Sequence, residues 1–223
     1  MANISYAITV CNEIKEVTNL LNFLQLHIRK EDEIVVQYDK DNATKDVKDY
    51  LKLMEKLHNY KIISFPLNKD FASFKNNLKS HCSKEYIFQI DADEIPHEAL
   101  IEYLPQILDT NPVDVVFIPR VNTVKGITDH HIFKWGWRVN EKGWVNFPDY
   151  QLRLYKKTDE IEWKNKVNET LTGYTTFQIF QQKNIGHYII IKILKDKKNK
   201  TNFTKLYENF SYRWSWFYWH TFN

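Results

Sequence analysis

Glycine is scarce. The 223 residues hold five glycines and six prolines, and neither GxGxxG nor GxxxxGK[ST] occurs. That excludes the glycine cradles by which dinucleotide folds and P-loop kinases hold phosphate. Two cysteines, Cys11 and Cys82, are too few for a disulfide scaffold, so a reducing, cytoplasmic setting is expected. No apolar run approaches the ~20 residues that span a bilayer. The opening MANISYAITVCNE has no basic segment and no cleavage site, so no signal peptide is expected. Charge of one sign is also lacking. A formal +3 and a pI near 8.6 are too weak to imply a nucleic-acid partner by themselves. No internal repeat of roughly 20–50 residues is present beyond strand–helix alternation.

Apolar material is plentiful: 43% of residues are hydrophobic and 15% aromatic, enough for one sizeable core. SYAITVCNE reads as a buried strand ending in a polar turn. In the segment after it Val17, Leu20, Leu21, Leu24 and Ile28 recur at helical spacing. EIVVQYDKD is a second strand, and NATKDVKDYLKLMEKLH a second helix. KIISFP, DFASFKNNLKSHC and YIFQIDADE follow as strand, helix and strand. This alternation predicts an α/β fold with a parallel, doubly wound sheet. Beyond Pro96 the order changes. HEALIEYLPQIL is a helix and VDVVFIPRVNTV a strand. The aromatic, turn-rich stretch from Lys134 to Leu171 reads as an antiparallel excursion. The basic segment from Lys192 reads as a helix, followed by the aromatic tail RWSWFYWHTFN.

In such sheets ligands lie beyond the carboxyl ends of the strands. Acids stand at those ends: Glu13, then Asp39 and Asp41, then Asp91, Asp93 and Glu94. Two carboxylates one residue apart repel unless a cation sits between them. Hard carboxylate oxygens suit Mg2+, Mn2+ or Ca2+, and such an ion grips a diphosphate through its remaining positions. An exposed acidic turn that merely stops the strand is the bland alternative. Cys11 reads as a small buried thiol. Trp135, Trp137 and Trp144 either cover the core or stack on a sugar.

TVCNE (9–13), YDKDNATKD (38–46), DFASFKNNL (70–78) and FQIDADE (88–94), in that order, resemble the family 2 glycosyltransferases of GT-A fold. PDYQLRLYKK (148–157), the Trp163…VNETL segment and Gly186-His187-Tyr188 extend the likeness to small bacterial and viral members, over roughly residues 5–190. The resemblance implies a Rossmann-like, mostly parallel sheet with helices on both faces and an antiparallel acceptor-side excursion. It implies a nucleotide-sugar donor (a UDP-sugar first), a divalent metal, Mn2+ or Mg2+, and inverting transfer to an acceptor hydroxyl.

Carried onto this chain, the resemblance implies that Thr9, Asn12 and Glu13 line the nucleotide pocket and Asp39 meets the base. Lys75 and Asn76 stand for the family's Arg-Asn pair. Asp91 faces ribose and metal, Asp93 is the main metal ligand, and His187 reaches metal or diphosphate. Lys75 keeps the charge of the arginine it replaces but loses its two-pronged fork. Thr44 occupies the place of an expected acid, Asn168 stands where members have His, and no Glu-Asp base pair follows the DxD-like motif.

A general base separate from the metal is needed. Glu169, expected to open a helix, is the first candidate and Asp149 the second. As an acid at a helix start Glu169 has an equally ordinary structural explanation. Arg153 is either a diphosphate clamp or a strand ion pair. His187 is either a ligand or an ordinary histidine. Residues 1–95 are expected to form the nucleotide-sugar half, 96–190 the acceptor half, and 191–223 a basic, aromatic helix and tail. That tail could rest on an anionic membrane, suiting a glycan or lipid-linked acceptor, or hold DNA with modified bases. A sugar nucleotidyltransferase and a non-catalytic sugar-nucleotide-binding module are the competing classes.

Overall fold

The structure, a computed structural model, describes residues 1–124, 126–180 and 190–194. The first 91 residues alternate as expected: β1 (Ile4–Val10), α1 (Ile14–His27), β2 (Glu33–Asp39), α2 (Lys45–His58), β3 (Lys61–Phe65), α3 (Phe71–His81) and β4 (Tyr86–Asp91). There follow β5 (Glu94–Pro96), α4 (Glu98–Thr110), β6 (Val115–Val124), α5 (Asp129–Trp135), β7 (Val145–Lys156), β8 (Glu162–Lys164), β9 (Thr170–Thr172), β10 (Phe177–Ile179) and β11 (Ile190–Leu194). The main sheet runs β3-β2-β1-β4-β7-β6-β11-β5, with β10 beside β6. Its first four strands are mutually parallel. The expected excursion is antiparallel where β7 meets β4 and in the β8–β9 ribbon; β11, outside it, is antiparallel to β5.

Side-chain alternation in the strands explains the layering. Ile4, Tyr6, Ile8 and Val10 of β1, Ile34 and Val36 of β2, and Tyr86, Phe88 and Ile90 of β4 share one face. They form the core with Val17, Leu20, Leu21 and Leu24 of α1, Val47 and Leu51 of α2, and Leu100, Leu104 and Leu108 of α4. Each fully buried leucine there contributes about 1.5–3 kcal/mol. Residues of opposite parity face α3 and are partly polar. Gln37 donates from Nε2 to Phe74 O at 2.6 Å and accepts from Asn77 Nδ2 at 2.6 Å. Thr9, Asp39 and Asp91 share this parity, so the polar strand ends belong to the α3 face. Helices therefore cover both faces of the sheet.

Two expectations change. YIFQIDADE is not one strand: β4 stops at Asp91, Ala92 and Asp93 turn, and β5 begins at Glu94. The turn is pinned by Ala92 N donating to Thr9 O at 3.0 Å. The helix expected from Lys192 is also absent over its first residues. Residues 190–194, Ile-Ile-Lys-Ile-Leu, form β11, because β-branched residues beside the β5 edge favour a strand. The aromatic tail and His187 lie outside the described residues.

The chain forms two compact units. One comprises Met1–Val121 with Pro148–Lys192. The described part of the other comprises residues 122–124, 126–147 and 193–194. Its small core is Val124, Trp135, Trp137 and Val145, so Trp135 and Trp137 are packing residues. Trp144 is half-buried, edge-on to Phe147 at 4.7 Å.

Candidate functional site

The carboxyl ends of β1 and β4 are register partners: Thr9 lies opposite Asp91. Thr9 Oγ1 donates to Asp91 Oδ1 at 3.2 Å. On its other oxygen Asp91 receives Arg153 of β7 at 2.8 Å. Arg153 also reaches Glu94 Oε1 at 2.6 Å, and Arg120 of β6 joins the same oxygen at 3.0 Å. Asp149 accepts from Arg120 Nε and from its terminal nitrogen at 3.0 and 2.6 Å, and Gln151 Nε2 donates to its other oxygen at 2.6 Å. Acids and arginines thus alternate through a buried chain, Asp149–Arg120–Glu94–Arg153–Asp91. Such pairs persist in an interior only when geometry and further hydrogen bonds offset desolvation.

At its outer end the chain opens. Asp91 and Asp93 keep 30% and 32% of their side-chain surface exposed, whereas Glu94 has none. Lys192 of β11 points into this acidic mouth, with its ammonium 3.0 Å from Asp93, 3.7 Å from Asp91 and 4.0 Å from Glu94. Burial disfavours the Asp91 charge, yet Arg153, Lys192 and Lys75 hold its carboxyl well below the ordinary value. Asp93 goes the other way: burial, with Asp91 and Glu94 beside it, raises it against the pull of Lys192.

A second group of side chains comes from α3. Lys75 lies 2.6 Å from Glu169 Oε1 and 4.2 Å from the centre of the Trp163 ring. Its neighbour Asn76 pairs with the Trp163 backbone, donating to O at 2.8 Å and accepting from N at 2.9 Å. Asn76 thereby holds β8 in place, and β8 holds β9 behind Glu169. The helix expected to open at Glu169 does not form. Asn168 takes a left-handed φ of 56°, and Thr170-Leu171-Thr172 pairs with β8, as β-branched threonines favour.

The other residues named from sequence sit as follows. Glu13 folds back, accepting from Cys11 N at 2.9 Å and Asn12 N at 3.0 Å, and Asn12 is exposed. Asp39, 2% exposed, accepts from Asn42 Nδ2 at 2.7 Å and from the backbone of Asp41 and Leu67. Burial works against its charge, but these bonds lower its carboxyl. Glu13 and Asp39 therefore both stitch the turns after their strands. Burial and nearby acids raise the half-buried Cys11 thiol, which keeps it protonated. The structure thus brings Thr9, Lys75, Asp91, Asp93, Arg153 and Glu169 to one rim. Asp149 lies deeper, beside Arg120.

Sequence reasoning missed Lys192, Arg120 and the burial of Glu94. Arg120 had a signal, since a charge inside VVFIPRVNTV needs a buried partner. Among the described residues no group of three or more His, Cys, Asp and Glu is arranged to hold a metal ion. Asp91 and Asp93 are nevertheless hard, partly exposed oxygen donors of the kind Mg2+ or Mn2+ takes when phosphate and water complete its shell. The donor set fits such an ion, with Lys192 on the same oxygens. No helix among the described residues is long and apolar enough to cross a membrane.

The chain is similar to S. aureus TarS. Against TarS residues 1–349 in complex with UDP-GlcNAc the TM-score is 0.63 at 14% identity, covering 88% of this chain and 60% of that one. Against the same segment with UDP it is 0.61 at 14% identity, covering 87% and 61%. This chain therefore spans about 60% of the length of those structures, and at that identity the likeness is one of fold, GT-A. No curated protein matches the chain. The family profile for Glycosyl transferase family 2 matches residues 5–188. By the reach of that match, over a fold with the acids of β1 and β4 at one rim, the chain belongs to glycosyl transferase family 2.

Proposed function

We propose that the chain moves a sugar from a nucleoside-diphosphate donor, a UDP-sugar, to an acceptor hydroxyl with inversion at the anomeric carbon. The observation that carries this is the rim where Asp91 and Asp93, each about a third exposed, meet Arg153 and Lys192, with Lys75 lowering the Asp91 carboxyl through its charge. It offers two hard donors for an ion and cations for a leaving diphosphate. The UDP-GlcNAc and UDP complexes of TarS support the donor class.

Asp91 and Asp93 would hold Mn2+ or Mg2+, and the ion would supply charge against the diphosphate as it leaves. Lys75 and Arg153 add fixed positive charge at the same rim, stabilising the negative charge that grows there. Thr9 orients Asp91. Glu169 serves as general base for the acceptor hydroxyl. Lys75 holds it in an ion pair at 2.6 Å. Asp149, enclosed by Arg120 and Gln151, is the weaker candidate because both its oxygens are already engaged. The acceptor we assign is a glycan or lipid-linked glycan.

The test is turnover of UDP-GlcNAc and other UDP-sugars by the full chain, with and without Mn2+, in wild type and Asp93→Ala. Sugar release or transfer that disappears in Asp93→Ala, while thermal unfolding is unchanged, supports the assignment. Full activity in that variant removes Asp93 from the metal role. Release of pyrophosphate would indicate a nucleotidyltransferase, and binding without turnover a recognition module.

A further inference from the structure

Sheet register, and not surface chance, delivers Lys192 to the acidic mouth. β11 is antiparallel to β5 with Lys192 opposite Glu94 and Ile190 opposite Pro96. The lysine is 14% exposed, and its ammonium lies nearest Asp93 at 3.0 Å. Arg153 and Arg120 serve Glu94 from within, at 3% and 8% exposure. Arg153 also holds Asp91 at 2.8 Å, whereas Lys192 engages the two carboxylates that stay partly open, Asp91 and Asp93, which are the oxygens a divalent ion would take. An ammonium and a doubly charged ion repel strongly at such separations. A lysine suits an exchangeable position: it is a compact charge on a flexible stem, whereas an arginine fork stays locked to its carboxylate.

The geometry points to Lys192 as a tethered counter-ion that neutralises the Asp91–Asp93 pair and competes with a divalent cation for it. This deepens the metal-assisted function proposed above and rests on it. Without donor, the lysine holds the pair and the ion binds weakly. A nucleoside diphosphate adds negative charge to the same mouth, so that ammonium and ion are accommodated together. Ion and nucleotide then bind cooperatively, each raising the affinity of the other by the same factor.

The experiment measures Mn2+ binding to the full chain by calorimetry and by manganese paramagnetic resonance, with and without UDP. It compares wild type, Lys192→Met and Lys192→Arg, with Lys192→Gln as a second neutral variant and thermal unfolding as the check on folding. Mn2+ alone is expected to bind Lys192→Met at least ~10-fold more tightly than wild type. The enhancement by UDP is expected to shrink in that variant, and Lys192→Arg, whose fork stays on the carboxylates, to bind Mn2+ more weakly than wild type. Equal Mn2+ affinity in wild type and both neutral variants overturns the competition and leaves the metal reading standing. No Mn2+ binding in any variant, with or without UDP, overturns both.

Discussion

Glu169 meets Lys75 at 2.6 Å with only 14% of its side chain exposed. Glu169→Gln keeps the shape and removes the basicity. It is expected to lower kcat by about 10²–10⁴-fold, the usual size of general-base assistance, with donor KM nearly unchanged. Steady-state rates on a UDP-sugar and acceptor measure it, and an unaltered kcat moves the role to Asp149. Glu169 as a candidate was legible in the sequence because VNETL resembles a family pattern. Lys192 was not. Its neighbours Lys195, Lys197, Lys198 and Lys200 suggest a solvated basic helix, and only pairing with a strand nearly 100 positions earlier reveals where it points.

At the scale of elements, small devices set the rim. Asn76 uses its side-chain amide as a strand uses its backbone, and Asn76→Ala leaves the buried Trp163 N–H and C=O without that partner. The expected loss is about 1–3 kcal/mol, read from the urea midpoint, and β8 should exchange amide hydrogens faster than β1 or β4. Asp114, before β6, accepts from Thr175 N at 2.8 Å, Thr175 Oγ1 at 2.9 Å and Thr176 N at 3.0 Å, tying down the approach to β10. These bonds lower its carboxyl to about 2. A depressed folded value contributes stability that is complete above about pH 4 and fades as pH falls through about 2. Asp114→Asn is therefore expected to flatten the fall of Tm across that window and to leave its shape at neutral pH unchanged.

The alternating strands and amphipathic helices of the first 90 residues were legible because local periodicity encodes them. The break at Asp91 was not, since Ala92 and Asp93 turn on a backbone bond to Thr9. Nor was the strand after Glu169, since Thr170–Thr172 is too short to show a period and takes its form from β8.

For the whole molecule the buried chain of acids and arginines matters most. Glu94, Asp149, Arg120 and Arg153 come from β5, β7 and β6 and are each under 9% exposed. Removing a charge from one such partner strands the others. Arg120→Met is expected to cost about 3–5 kcal/mol, seen as a lower denaturant midpoint. Arg120→Lys recovers only part of this, because one ammonium cannot make the two-nitrogen contact with Asp149. β11, finally, is an interior strand between β6 and β5 although it is the last described segment of the chain. A ribosome-bound chain that has not yet released Ile190–Leu194 therefore presents two raw hydrogen-bonding borders where β11 belongs. The acid mouth acquires its lysine only at that closing step, so partial translation products keep the Asp91–Asp93 mouth with the arginines alone to balance it.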